Sequence, residues 1–273
     1  MSLKKDIDFD EIALEIFNEQ NKIRQNPKSY IEKLKRSLTF FKNKIFRHPL
    51  EIPLETNEGT DGVKDAIEFL KTQGPVRELK FSEELTKAAK EHALDIGAKG
   101  LSSHEGSDGS GISDRVERYI EWDGAIAECL DFCYRYAENI IMNLVVDDGA
   151  KEKNQRKNLF NDEFNYVGIA FNPHRSLKYC CVIVYAKGLH PIGEEAPDVI
   201  NSISDYIDKT MNVQEKRSDN LYQNDDPDAP QNTINMKIIK FRKVIGGKER
   251  AVVRKIYMLD NGRQHMVEIE DKE

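Results

Sequence analysis

The chain has 273 residues, of which 39% are hydrophobic and 33% are charged, and its formal net charge is -7. A chain of this length and apolar content can build a packed core, which excludes a wholly disordered protein. Its mild acidity argues against nucleic acid as the main partner, because a nucleic-acid footprint is basic. Its apolar runs are also far shorter than the roughly 20 residues of a membrane-spanning helix.

The start of the chain and its cysteines predict a cytoplasmic protein. The residues after Met1 are polar and lack an apolar stretch of signal-peptide length. Four cysteines are too sparse for a disulfide scaffold in so long a chain, so we expect reduced thiols. Cys180 and Cys181 are adjacent, and in a strand they should face opposite sides. Cys129 and Cys133 would lie one turn apart in a helix, but no second pair with zinc-ligand spacing accompanies them.

The first third of the chain predicts helices separated by proline and glycine breaks. Apolar residues recur at helical spacing over residues 10–25, and Asp8 or Asp10 can cap the start of this helix. A second helix is predicted to start at Pro27, because a proline disfavours helix in the residue before it. Residues 47–60 are predicted to form a loop, and residues 61–72 a further helix.

The clearest predicted helix spans residues 82–99, with Ser82 as its N-cap. Its apolar stripe is Leu85, Ala88, Ala89, His92 and Ile96. Because His92 lies on this stripe, the pattern favours a core histidine over a catalytic one. A loop rich in glycine and serine follows over 100–111, and shorter helices are predicted over 114–119 and 137–146.

After residue 150 the apolar period changes from that of a helix to that of a strand. Residues 166–171 and 179–186 are predicted as two strands joined by a turn over 172–175. Helices around a few mostly antiparallel strands indicate an α+β layered domain. We place this domain at residues 1–191.

The last third of the chain predicts a polar linker and a separate β-meander. Residues 192–232 combine a short helix over 196–212 with a stretch of linker composition. Residues 233–273 predict a three-stranded meander, with strands over about 233–245, 249–259 and up to about 270. A sheet of three strands is only marginally stable by itself, so the meander should pack on the main domain or on a partner.

The meander is basic although the chain as a whole is acidic. The residues that we consider for interaction are Lys237, Lys240, Arg242, Lys243, Arg250, Arg254 and Lys255. One interpretation is a solvated edge on which lysines block mispairing. The other is a basic face that docks on an acidic surface of a protein partner.

A set of short motifs occurs in a fixed order between residues 79 and 186. The motifs are Leu79-Lys80-Phe81-Ser82, Ala88-Ala89, His92-Ala93, Ser103 to Gly109, Val146 to Gly149, Arg156 to Phe160 and Phe164 to Ala170. Each motif is unspecific alone, but the ordered set resembles the CAP superfamily of cysteine-rich secretory proteins, antigen 5 and pathogenesis-related 1 proteins. The first helix extends the resemblance, and the Val-Asp-Asp-Gly form resembles that of protist members.

The resemblance implies an α-β-α sandwich whose cleft holds two histidines and two acidic residues, a set that binds zinc or another divalent ion in some members. His104 matches the first histidine and Glu128 the glutamate of the family's Gly-Glu-Asn motif, while Asp147 falls near the second acid. Gln155 stands where the family has its second histidine. A glutamine offers a cation only its carbonyl oxygen, so we expect no cofactor and leave His104 and Glu128 as weak metal candidates.

A purely structural role for these residues is also open. His104 would cap the loop over 105–109, and Glu128 would accept backbone hydrogen bonds in the cleft. The residues flanking Glu128, which are Ala127 and Cys129, also depart from the Gly-Glu-Asn motif. The departures together indicate a degenerate site.

These observations predict a non-enzymatic CAP-domain protein that acts as a structural or protein-interaction component, such as one of a ciliary or cytoskeletal assembly. One alternative is a CAP-type protein that binds a sterol, another lipid or a divalent ion. A second alternative is a hydrolase. A catalytic triad that uses Ser102 or Ser103 with His104 is poorly supported, because the sequence lacks a nucleophile elbow and adjacent residues rarely reach triad geometry.

Overall fold

A computed structural model describes residues 7–49, 51–192, 233–245, 248–259 and 264–270. The predicted helix over 196–212, the polar linker and the two turns of the meander lie outside these residues. The described helices are α1 (Phe9–Gln25), α2 (Ile31–Ser37), α3 (Thr60–Thr72), α4 (Glu83–Lys99), α5 (Ile112–Val116), α6 (Ala137–Val146) and α7 (Asn154–Leu159), with 3-10 turns at Pro27–Tyr30 and Leu38–Phe40. The described strands are β1 (Phe41–Lys42), β2 (Ile45–Phe46), β3 (Leu54–Glu55), β4 (Lys80–Phe81), β5 (Glu121–Phe132), β6 (Tyr166–His174), β7 (Lys178–His190), β8 (Thr233–Ile245), β9 (Lys248–Leu259) and β10 (Gln264–Glu270).

The two longest described helices, α1 and α4, form where the sequence predicts them, and their caps explain where they start. The Asp8 carboxylate accepts hydrogen bonds from the backbone N–H groups of Asp10 and Glu11 at the start of α1. The Ser82 hydroxyl accepts one from Leu85 at the start of α4. Gly100 ends α4 in the left-handed region, with a φ of 71°, where a residue with a side chain is disfavoured.

A seven-stranded mixed sheet separates two helical layers. Its strand order is β4-β6-β7-β5-β10-β9-β8, and β4 pairs parallel to β6 whereas the other pairs are antiparallel. Alternate residues of β5, β6 and β7 enter two hydrophobic clusters, one shared with α1, α2, α3, α6 and α7 and the other with α4 and α5. Cys181 lies in the first cluster and Cys180 in the second, which confirms that these neighbours face opposite sides. The fold is therefore the expected α+β sandwich.

One glycine sets how closely α4 approaches the sheet. A Cβ atom at Gly168 on β6 would stand 2.2 Å from the backbone carbon of Leu85. No side chain fits there without moving the helix. This contact positions α4, and with it His92, against the middle of the sheet.

The central strand β5 was not recognised in the sequence, where a helix through Cys129 and Cys133 was considered. The stretch is instead a twelve-residue strand that pairs with β7. Residues 125–131 of the strand are all buried, but Gly124 and the buried acidic residues Glu128 and Asp131 interrupt its apolar residues. Neither a continuous apolar run nor a strict alternation therefore marks it as a strand. Cys133 follows the strand with a φ of 77°, so the two cysteines do not share a helix face.

Two predicted boundaries also differ from the structure. Three of the four residues of the predicted turn over 172–175 lie within β6, which ends at His174, and the chain turns over residues 175–177 instead. His174 explains the shift, because its Nδ1 atom accepts hydrogen bonds from the N–H groups of Ser176 and Leu177. The short helix predicted over 114–119 spans Ile112–Val116, where the Asp114 carboxylate accepts a hydrogen bond from the N–H of Gly111 just before the helix.

The β-meander extends the central sheet. Gln264 and His265 of β10 pair with Ile126 and Ala125 of β5. Ile256 and Met266 are buried in the same cluster as the residues of α4 and α5. In the described parts of the chain, no helix is long and apolar enough to cross a membrane.

Candidate functional site

The candidate cleft brings His104 and Glu128 together. His104 lies in the loop between α4 and α5, and Glu128 lies on β5. The Nδ1 atom of His104 is 2.9 Å from Oε1 of Glu128. The His104 side chain is 63% exposed and the Glu128 side chain only 3%, so the imidazole closes over a buried carboxylate.

Arg115 is the second partner of this carboxylate. Its Nη2 atom donates to Oε2 of Glu128 at 2.8 Å and to the carbonyl of His104 at 3.1 Å, while Nη1 donates to the carbonyl of Ser110 at 2.7 Å. One buried guanidinium therefore fastens the His104 loop to β5. The Glu128 carboxylate accepts hydrogen bonds from the side chains of His104 and Arg115, which corrects the expectation that backbone groups donate to it.

His92 approaches the same carboxylate oxygen as His104. Its Nε2 atom is 2.9 Å from the carbonyl of Ser103 and 3.6 Å from Oε1 of Glu128. A carbonyl accepts, so Nε2 carries the proton and Nδ1 is the acceptor; Nδ1 is buried and has no protein partner. The core position predicted for His92 is confirmed, whereas its proximity to Glu128 is not visible in an apolar helical stripe.

The electrostatics of the cluster favour one charge state. Burial alone would raise the pKa of Glu128, but the hydrogen bond from His104 and the charge of Arg115 outweigh it and hold that pKa below its usual value. Burial lowers the pKa of His92, although the neighbouring Glu128 opposes this effect. The structure therefore holds an ionised Glu128 against a neutral His92.

Asp147 and Gln155 form a second pair around the start of α7. Asp147 is buried and has a φ of 50°, and its Oδ2 atom accepts hydrogen bonds from the N–H groups of Gln155 at 2.8 Å and Arg156 at 3.4 Å. Burial raises the pKa of Asp147 despite these bonds. The Oε1 atom of Gln155 accepts from the backbone N–H of Leu130 at 2.9 Å.

This donor set does not fit a metal ion. Both oxygens of Glu128 have protein donors, the carbonyl oxygen of Gln155 is used by β5, and Asp147 Oδ2 caps α7. Across the described residues, no group of three or more His, Cys, Asp or Glu side chains is arranged to hold a metal. We therefore derive no chemistry through a divalent ion at this site.

Comparison with known proteins identifies the fold family. The model of the CAP family, described as the cysteine-rich secretory protein family, matches residues 17–185. The chain belongs to the CAP family. A search of curated proteins gave no match.

Two solved structures resemble parts of this CAP protein. One is an extracellular protein of Bacillus anthracis that contains an SCP domain, with 15% identity, a TM-score of 0.34 and coverage of 47% of this chain and 38% of that one. The other is an outer surface protein of Borrelia burgdorferi, with 15% identity, a TM-score of 0.35 and coverage of 49% of this chain and 97% of that one. The chain thus spans well under half the length of the Bacillus protein.

In this CAP protein the two residue pairs belong to different elements around β5. Glu128 and Leu130 are two residues apart on that strand, so His104 and Gln155 are held by neighbouring positions of it. Through the family resemblance the sequence named the four residues of these pairs, whereas the structure shows which of them pair. The sequence missed Arg115, because a buried arginine within a short helix carries no pattern of its own.

The structure describes the side chains of only some of the predicted interaction residues. For Lys237, Lys240, Arg242, Lys243 and Arg250 the structure describes the backbone only. Arg254 is 8% exposed, and it forms ion pairs with Glu117 at 2.8 Å and with Glu268 at 2.7 Å. Its guanidinium is therefore used within the protein, which corrects its assignment to a basic docking face. Lys255 is half-buried.

A cavity of about 710 Å³ lies away from the His104 loop, beside α3 and α7. Its lining residues are Lys44, Glu58, Asp61, Asp65, Ala150, Lys151, Lys153 and Arg156. Its charges are largely cross-linked, since Lys153 pairs with Glu58 at 2.6 Å and Arg156 with Asp65 at 2.8 Å. This internal neutralisation argues against a strong preference for one sign of ligand charge.

Proposed function

We propose that this CAP protein is a non-enzymatic protein-interaction component, and that its β-meander docks on an acidic surface of a partner. The hydrogen bond from the Leu130 N–H to Gln155 carries the proposal. Gln155 stands at the family's second histidine position, and this bond makes its side-chain amide a structural acceptor. His104 therefore has no imidazole partner at residue 155. The exterior of the molecule then determines its role.

The cysteines support a location inside the cell. All four are free thiols, and Cys129, Cys180 and Cys181 are buried. Burial raises the pKa of Cys180 to about 12, so this thiol stays protonated and unreactive. Thiols without disulfides are typical of reducing compartments. A cytoplasmic assembly of the ciliary or cytoskeletal kind remains our proposed setting.

The charge of the meander supports the choice of partner. β8 carries four basic residues and no acidic one, in a chain with a net charge of -7. An acidic surface of a partner would be attracted by this strand and repelled by the acidic remainder of the protein. The partner would therefore approach with its acidic surface towards β8.

Co-purification with a charge-reversed control tests the proposal. The full-length protein is expected to retain an acidic partner at cellular concentration, and the variant Lys240→Glu/Arg242→Glu to lose it. Calorimetry with zinc, calcium and magnesium and a lipid-binding assay address the ligand-binding alternative. Hydrolase activity that is abolished by His104→Ala, or a strictly monomeric protein without a partner, would contradict the proposal.

A further inference from the structure

Strand β8 is a long edge of the central sheet. It spans thirteen residues and pairs with β9 over most of its length. Among the described strands it has a neighbour on one side only. An edge of this kind presents a row of backbone donors and acceptors to which another strand can add.

The register fixes which backbone groups face outward. Successive residues of a strand point their N–H and C=O groups to alternate sides. The N–H of Leu130 meets Gln155, so Ile126, four residues earlier in the same uninterrupted register, also points away from β7 and towards its partner Gln264.

The same alternation continues across β10 and β9. Gln264 bonds to β5, so the next residue, His265, bonds to its partner Tyr257 on β9. Tyr257 therefore points towards β10, and its neighbour Ile256 points towards its partner Lys237 on β8. Odd-numbered residues of β8 therefore bond to β9. The outward backbone groups belong to Met236, Ile238, Lys240, Arg242 and Val244.

Charge selects the kind of strand that can add. The basic residues of β8 are Lys237, Lys240, Arg242 and Lys243, and the strand has no acidic residue. A second copy would bring β8 against β8, which places like charges on adjacent strands and is unfavourable. An acidic strand meets no such repulsion.

We infer that β8 binds an extended acidic segment of a partner protein as an eighth strand of the sheet. This inference rests on the proposed function and specifies how the meander would engage its acidic partner. Backbone hydrogen bonds from alternate residues of β8 supply the docking, and the basic residues supply the preference for acidic segments.

Amide hydrogen exchange on the full-length protein tests the alternation directly. The probe is a synthetic peptide of alternating valine and glutamate at about 50 mM salt, where charge attraction is weakly screened. The exchange of the Ile238, Lys240 and Arg242 amides should slow by about tenfold or more, whereas Ile239 and Phe241 should keep their rates. Protection that ignores this alternation, or no protection, would overturn the inference.

Two comparisons separate backbone pairing from simple charge attraction. The same peptide with N-methyl groups on alternate residues keeps its charge but lacks donors, so its affinity should fall by about tenfold. On the protein, Ile238→Pro removes one outward N–H, and Ile238→Ala keeps it. Ile238→Pro should weaken binding and Ile238→Ala should not.

The outcomes distinguish this inference from the proposed function. If Arg242→Glu abolishes peptide binding while the N-methylated peptide binds as well as its parent, the docking uses side chains alone. The strand-addition inference then fails and the proposed function stands. If the protein dimerises without peptide because β8 pairs with β8 of a second copy, the inference also fails. Loss of every partner in co-purification would instead remove the proposed function.

Discussion

The Oε1 atom of Gln155 accepts a hydrogen bond from the backbone N–H of Leu130 at 2.9 Å. That N–H lies on the side of β5 away from β7, where no strand is paired beyond Ile126 among the described residues. Leu130 is buried, so an unpaired backbone donor there is costly, and the glutamine satisfies it. The residue that replaces the family's second histidine therefore has a structural partner of its own.

The first prediction concerns this bond. Gln155→Ala leaves the Leu130 N–H without its acceptor, and we expect the free energy of unfolding to fall by about 1–3 kcal/mol. Urea denaturation followed by far-UV circular dichroism measures it. Lys157→Ala on the same helix is the matched control, because the Lys157 side chain is half exposed and its ion pair with Glu152 is long, at 3.5 Å. Equal effects of both variants would show that the hydrogen bond contributes nothing.

The second prediction compares how much His104 and Glu128 each contribute to the stability of the fold. Glu128→Ala leaves the buried guanidinium of Arg115 without a carboxylate, and such losses cost about 3–5 kcal/mol. His104→Ala removes a largely exposed imidazole, so the cost should stay within about 1 kcal/mol. Thermal and urea unfolding of the two variants compare them. A large loss in His104→Ala together with a small one in Glu128→Ala would contradict the arrangement described here.

The sequence predicted the periodic helices and, through family motifs, most of the site. α4 could be predicted because its stripe and its Ser82 cap are local signals. β5 could not, because Gly124 and the buried acidic residues Glu128 and Asp131 interrupt the apolar pattern that reveals a strand. The pairing of Gln155 with Leu130 was equally hidden, since it joins residues 25 positions apart in sequence through tertiary packing alone.

The third prediction concerns acidification. Burial lowers the pKa of His92 below its ordinary value of 6.5, so the unfolded chain binds a proton there at pH values where the folded protein does not. Stability should therefore fall as the pH drops below 6.5. Glu128, Arg115 and His104 surround His92, and the lowered pKa of Glu128 keeps that carboxylate ionised above pH 4.5.

His92→Gln provides the comparison, because its amide can still donate to the carbonyl of Ser103 but does not titrate. Urea midpoints at about pH 7.5 and about pH 5.5 should differ less in this variant than in the wild type. Contributions to the pH dependence that do not involve residue 92 are common to both proteins and cancel in the difference. An identical pH dependence in the two proteins would show that His92 is not held neutral by the fold.

The fourth prediction tests how the meander is attached. Arg254 on β9 bridges Glu268 on β10 and Glu117, the residue that follows α5. Glu117 also accepts a hydrogen bond from Trp122 Nε1 at 3.1 Å, so one carboxylate joins the meander to the start of β5. Arg254→Ala leaves two carboxylates facing each other without their shared cation. We expect a loss of about 1–3 kcal/mol, with amide exchange accelerated in β9 and β10 before the rest of the sheet.

A double-mutant cycle with Glu117→Gln isolates the bridge between meander and core. Because the two side chains contact each other, their effects should be non-additive by about 0.5–3 kcal/mol. Lys71→Ala is the control, because the Lys71 ammonium pairs with Glu68 on α3, and it should show no coupling with Glu117→Gln. Additive effects of Arg254→Ala and Glu117→Gln would mean that the buried Ile256 and Met266 hold the meander on the core without this ion pair. The meander would then be held on the core by that packing together with the backbone pairing of β10 and β5.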